Sequence, residues 1–234
     1  GGAEVRWLAG DSLIAVALLG RGVAIVDASS GEERAAWRLP TLPAHAAHGL
    51  AMSASGETLA VATDDSVHVV RARDGAPYLA APGGGTTLAL SDDGRLLACG
   101  DGTLGRVLDT RDGRVLAQYN MPAGRNGLAW SPDAAAFAWT DVRAVPVMEV
   151  RSNLGREGDS TAIGAGDGEP SWDIGPFLDA RPTQLAFSGN GRTLAVAEST
   201  DYVSFWDMRQ RRMSWRLKLS GTARFERMAL SADT

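Results

Sequence analysis

One four-residue string, a large apolar residue, Ala, a large apolar residue and Ser, recurs five times along the chain and constrains the fold more than any other feature. It reads LAMS at 50–53, LALS at 88–91, LAWS at 128–131, LAFS at 185–188 and MALS at 228–231, with starts 38, 40, 57 and 43 residues apart. Self-similarity at a period near 40 residues marks a repeat architecture, in which each unit buries its apolar face against the next. Each of the first four serines opens a turn: SASG at 53–56, SDDG at 91–94, SPDA at 131–134 and SGNG at 188–191. Pro, Asp and Asn pre-set such turns and Gly takes the positive φ that ends them. Ala134 breaks the glycine pattern, so that turn is expected to be slightly strained or of another type.

The rest of the unit follows in fixed order. Six residues after each Ser comes an apolar-Ala-apolar strand core at Leu59, Leu97, Phe137 and Leu194. A third strand then ends in an apolar residue followed by a polar one: Val70-Arg71, Leu108-Asp109, Met148-Glu149 and Trp206-Asp207. Gly turns follow in DASSG at 27–31, RARDG at 71–75 and DTRDG at 109–113, and a fourth apolar strand leads to Pro40, Pro82 or Pro122. The N-terminal stretch fits the same template through Val5 to Trp7, Leu13 to Val16 and Val26-Asp27. Short strands, tight turns and no helical periodicity predict an all-β chain. Stacked four-stranded sheets bury both faces, and Ala51, Ala89, Ala129, Ala186 and Ala229 keep the first strand thin on one side, where sheets crowd.

This pattern resembles the WD-repeat family over essentially the whole chain. The best single match is residues 185–209, which end in the Trp206-Asp207 dipeptide. The family's Gly-His dipeptide has no clear counterpart and only one unit carries Trp-Asp, so its His-Ser-Asp-Trp hydrogen-bond relay is not expected here. The family's loop aspartate falls at Asp64, Asp101, Asp141 and Asp201. The resemblance implies an all-β β-propeller of four-stranded antiparallel blades. About five are complete, at 1–40, 41–82, 83–122, 123–182 and 183–220, and residues 221–234 supply the first strand of a sixth. The chain thus reads as a fragment of a longer one. The 123–182 blade carries about 17 extra residues within 151–182, read as a surface loop or, alternatively, a clamp on a partner.

Composition narrows the function classes. The charge of −5 and a pI near 5.2, with arginines scattered among 28 acids, argue against a nucleic-acid binder. No apolar run approaches the ~18 residues of a membrane span, and the greasiest stretch, from Leu13, ends at Gly20 and Arg21. Cys99 is the single cysteine, so no intrachain disulfide forms, which favours a reducing, cytoplasmic setting.

Three catalytic or ligand motifs fail on their partners. Gly10-Asp-Ser-Leu13 matches the nucleophile motif of GDSL esterases, but no Asp lies three residues before His45, His48 or His68 to activate the serine. His45 and His48 lack the further ligands that zinc demands. Gly83-Gly-Gly85 lacks the following Lys-Ser/Thr and helix of a phosphate cradle. No catalytic residue, cofactor or metal is therefore assigned. The tryptophans read as structural, with Trp130 and Trp139 in strand cores and Trp37 and Trp215 in fourth strands, while Trp172 and Tyr202 fall in loops.

The resulting expectation is a protein-protein interaction scaffold. Alternatives are a regulatory or sensor module of a larger signalling protein and, third, a propeller hydrolase or lactonase. Loops after strand four and between strands two and three share one rim, which collects Arg21, His45, Asp64, Asp101, Arg125, Asp141, Arg181, Tyr202 and Arg224 as partner-binding candidates for a protein or peptide. Further partners would be the remaining blades or domains of the full-length chain.

Overall fold

The computed structural model describes residues 3–7, 12–18, 22–37, 49–63, 65–83, 87–100, 103–120, 127–141, 145–149, 172–174, 180–219, 228 and 230. These residues hold strands and turns and no helix. Twenty strands form five four-stranded sheets in which each strand pairs with its sequence neighbours. The first sheet is β1 (Ala3–Trp7), β2 (Leu13–Leu18), β3 (Gly22–Asp27) and β4 (Glu33–Trp37). The second is β5 (Gly49–Met52), β6 (Thr58–Ala62), β7 (Ser66–Arg71) and β8 (Pro77–Pro82). The third is β9 (Thr87–Leu90), β10 (Leu96–Gly100), β11 (Leu104–Asp109) and β12 (Val115–Asn120). The fourth is β13 (Leu128–Trp130), β14 (Ala136–Trp139), β15 (Pro146–Glu149) and β16 (Trp172–Asp173). The fifth is β17 (Pro182–Phe187), β18 (Thr193–Glu198), β19 (Tyr202–Asp207) and β20 (Arg212–Lys218). Every pairing whose register is defined is antiparallel, as in Leu59↔Val70 and Leu194↔Trp206.

The chain divides into two compact units, residues 1–101 with 105–115 and residues 102–104 with 116–234. In the first, the alternation of the repeat splits sheet two between two cores. Met52, Leu59, Val61 and Val70 pack with Ala15 and Ile25 of sheet one. Ala51, Ala60, Ala62, Val67 and Val69 pack with Leu90, Leu97 and Leu108 of sheet three. In the first two strands of sheet two the alanines thus face sheet three and the large residues face sheet one. In the second unit, Ala138, Val145, Val147 and Ile174 meet Leu185, Leu194, Val196 and Trp206. Tyr119, Trp130, Phe137 and Trp139 add an aromatic cluster with ring centroids 4.6–5.5 Å apart. Residues 221–234 are described only at Met228 and Leu230, which pack beside Ala195, Ala197 and Val203.

The repeated serine is a structural device. Ser53, Ser91, Ser131 and Ser188 are buried. Their hydroxyls accept the backbone N–H of Thr58, Leu96, Ala136 and Thr193 at 2.9–3.1 Å. Three of them donate to the side chain two residues on: Asp93 and Asp133 at 2.6 Å and Asn190 at 2.8 Å. The string recurs because each turn needs a small buried hydroxyl with both roles.

Candidate functional site

Each blade has two rims. On one, loops after strand four approach loops between strands two and three. Ser199 N–H donates to Arg181 O at 2.7 Å, Gly83 N–H to Asp65 O at 2.7 Å and Leu219 N–H to Asp201 O at 2.7 Å. This is the rim on which the partner-binding candidates were placed. Arg21, His45, Asp64, Asp101, Arg125 and Arg224 lie outside the described residues. Arg181 is exposed, Asp141 half-buried. Tyr202 is the first residue of β19 rather than a loop residue, because its backbone pairs with Lys218. Its ring lies under the Arg216 guanidinium at 3.9 Å, with Lys218 Nζ at 5.6 Å. Arg216 Nη2 also donates to both carboxylate oxygens of the buried Glu198, at 3.0 and 2.8 Å. Tyr202 therefore serves an internal cluster as well as the rim.

Among the described residues, blade two carries a dense polar group on this rim. Asp65 accepts from the hydroxyls of Thr63 at 3.0 Å and Ser66 at 3.2 Å, while Ser66 Oγ lies 3.0 Å from His68 Nε2. These two hydroxyls hold the Asp65 carboxyl below its ordinary range. The order is Asp-Ser-His, with the carboxylate on the serine and not on the imidazole, so the serine proton is already committed and the histidine has no orienting acid. Among the described residues the loop aspartate engaged here is Asp65; the expected Asp64 lies outside them. In blade five Trp206 Nε1 donates to Ser204 Oγ, two residues earlier on the same strand, at 2.9 Å. His45 and His48 lie outside the described residues, and Cys99 is buried and in no disulfide. Ser12 of the GDSL motif is bound into a strand-one-to-two turn, its carbonyl accepting Ala28 N–H at 2.9 Å.

The opposite rim holds the turns. In four blades the residue after strand three bonds back to the strand-one-to-two turn: Ala28 to Ser12, Ala72 to Glu57, Thr110 to Arg95 and Met208 to Arg192, at 2.8–2.9 Å. Carboxylates brace the turns between strands three and four. The Ser29 hydroxyl, then Arg34, hold Asp27 well below the usual carboxylate range. Burial works to raise Asp109, but bonds from Arg111 at 2.8–3.1 Å outweigh it and the group stays low.

One stretch of this rim departs from the pattern. Gly31, Gly75 and Gly113 take a left-handed φ of 71–75° at the fifth position of their turns, whereas blade five has Arg211 there at 52°. Gly56, Gly94 and Gly191 do the same at the fourth position of the serine turns, whereas blade four has Ala134 at 54°. A side chain in that conformation costs about 1–2 kcal/mol. These are the non-glycine residues with positive φ among the described residues; Ala134 lies between Asp133 and Ala135, and Arg211 two residues after Arg209, all three of those residues lining one groove. Its volume is about 380 Å³, and Ser131, Asp133, Trp172, Phe187, Met208 and Arg209 help line it. Trp172 was expected in a loop; it forms the short strand β16 by pairing with Val147. The Arg211 guanidinium stands 5.9 Å from the Trp172 ring centroid. The groove was missed in the sequence, although the missing glycines at 134 and 211 pointed to it.

These observations define a β-propeller built of four-stranded antiparallel blades. Among solved structures, the chain is similar to one in the crystal structure of a mitotic checkpoint complex, with a TM-score of 0.68 and 18% identity, over 92% of this chain. It spans 65% of that chain. In all, 1612 solved chains match, so the likeness identifies a widespread fold and not an activity. No family profile and no curated protein sequence matches the chain.

Proposed function

We propose that the chain is a protein-interaction scaffold whose rigid blades present rim residues to a protein or peptide partner. The observation that carries this reading is how the polar groups are divided. Serines, threonines and aspartates with catalytic chemistry are consumed in turns and in the Asp65-Ser66-His68 group, while Arg181, Arg192 and Arg209 project from the rims. Exposed arginines held on a rigid frame suit recognition, because they combine apolar area with several donors. The loop rim with Arg181, Asp141 and Tyr202, together with Arg21, His45, Asp64, Asp101, Arg125 and Arg224, is the proposed partner surface.

A second partner is a further blade. Trp215 and Leu217 of β20 are 53% and 41% exposed and share one face, opposite Phe205 and Val203. Leu79, which faces Val69 as Trp215 faces Phe205, is instead covered in blade two, close to Gly113 of the next sheet. An equivalent blade following blade five, within the full-length protein, would cover the open stripe.

The test is capture of partner proteins by the full-length protein, comparing charge reversals at Arg125, Arg181 and Arg224 with reversals at Asp92, Arg111 and Arg192 on the turn rim. Loss of partner with the first set only is expected. Loss with the second set only moves the surface to the other rim, and retention with both removes the rim reading.

A further inference from the structure

We propose that the groove on the turn rim beside β16 binds a short acidic peptide, seating one large apolar side chain on Trp172 and Phe187 and a neighbouring carboxylate on Arg209. This extends the scaffold reading to the rim opposite the one it names. The volume of about 380 Å³ lies within the span of small-ligand sites, about 300–1,000 Å³, and accepts one side chain with its flanking backbone. The floor is apolar and adaptable: Trp172, Phe187 and Met208 are all half-buried, so they offer surface to a ligand while being held by the core of this unit.

The polar lining sets the charge of the ligand. Asp133 is committed to its own turn, accepting from Ser131 Oγ at 2.6 Å and Ala135 N–H at 3.0 Å. Arg209 is exposed, and no described residue ion-pairs or hydrogen-bonds with its side chain. Arg192 and Arg211 stand on the two turns beside it, both exposed. The groove thus offers the unspent cation Arg209 beside an aromatic floor, complementary to a carboxylate next to an apolar residue. The two strained residues agree. Ala134 and Arg211 occupy positions where the same turns elsewhere use glycine, and Arg211 places a guanidinium over the Trp172 ring that glycine lacks. A nucleic acid fits less well, because it needs a row of cations and the chain carries a net charge of −5.

The test is an array of immobilised hexapeptides probed with the whole protein. Each peptide holds Leu, Phe, Trp or Met at its third position, flanked by Glu, by Gln or by Lys. Glu-flanked peptides are expected to bind best and Lys-flanked ones least. Arg209→Glu, an exposed site whose change leaves the urea midpoint in place, is expected to weaken the Glu-flanked peptides by roughly tenfold and to invert the preference. Trp172→Phe is expected to favour smaller third residues. No binding by any peptide, equal binding of Glu- and Lys-flanked peptides, or an unchanged preference in Arg209→Glu overturns the proposal. So does binding of single-stranded oligonucleotide in preference to every peptide. Loss of array binding in Arg181→Glu but not in Arg209→Glu removes the groove and leaves the loop-rim scaffold standing. Loss of partner capture alone, with the array intact, does the reverse.

Discussion

Blade five has two faces that the repeat writes in the same alphabet and the structure treats oppositely. On one, Trp206 is 2% exposed among Leu194, Val196, Val147 and Ile174, its indole N–H bonded to Ser204. Glu198 is buried on the same face and neutralised by Arg216. On the other, Phe205 stacks on Trp215 with centroids 3.7 Å apart, but Trp215 remains 53% exposed. Alternation along a strand decides which residues share a face. Only the neighbouring sheet decides whether that face is a core.

The largest expected effect tests this contrast directly. Trp206→Ala should cost about 3–5 kcal/mol, since it empties a packed site and strands Ser204. Trp215→Ala, made in parallel, should cost less than about 1 kcal/mol, the scale of an exposed contact. Urea unfolding followed by circular dichroism compares the two. Equal losses would mean that the open face is covered in solution, and the comparison would break.

The next effect concerns charge on the buried face. Arg216→Ala leaves the Glu198 carboxylate buried without its ion-pair partner, and should destabilise by about 3 kcal/mol. The double variant Arg216→Met with Glu198→Leu should recover most of that loss, because the pair is replaced by apolar groups of similar size. Failure of the double variant to recover would show that the pair fixes geometry that packing alone does not.

Much of this was legible in the sequence and some was not. The first four copies of the Ser string placed the turns, the apolar-Ala-apolar cores placed the second strands, and Trp206-Asp207 ended a third strand as expected. Ala51 showed which side of blade two would be thin, and it lies with Ala60 and Ala62 against sheet three. Trp215 reads in sequence like any fourth-strand core residue, since its exposure depends on whether another sheet packs over it. Tyr202 and Trp172 read as loop residues because strand ends are set by pairing partners, Lys218 and Val147, that lie 16 and 25 positions away. The groove has no motif of its own. Its trace is negative, two glycines missing from a register that the other blades keep.

A smaller effect comes from the braced turns. Asp27, Asp65 and Asp109 all titrate below their ordinary range in the folded chain. Their contribution to stability is complete above the unfolded carboxylate value near 4 and is lost as pH falls through the lower folded values. Thermal midpoints should therefore drop between about pH 4 and pH 2. Asp109→Asn should lower the midpoint at pH 7, by about 1–3 kcal/mol equivalent, and its gap from the parent protein should close as the solution is acidified. A gap independent of pH would place the cost in shape and not in charge.

The smallest expected effect separates strain kept for a purpose from strain merely tolerated. Ala134→Gly removes a Cβ from a left-handed position at φ 54°, in a turn that the other blades close with glycine. Relief of about 1–2 kcal/mol is offset by the greater freedom of glycine in the unfolded chain, about 0.4–1 kcal/mol, so a net gain below about 1 kcal/mol is expected. Arg211→Gly relieves the same strain at φ 52° but also removes the guanidinium from the Trp172 ring. A cation over a half-exposed indole is worth about 0.5–1 kcal/mol, which leaves Arg211→Gly near zero in stability. The two substitutions therefore differ little by unfolding and should differ in ligand binding. Ala134→Gly should leave the preference of the groove for acidic peptides intact, and Arg211→Gly should weaken it. If Arg211→Gly stabilises the protein as much as Ala134→Gly and binds peptide equally well, the arginine contributes nothing at the groove, and the departure of blade five from the glycine turns of the other blades is tolerated strain alone.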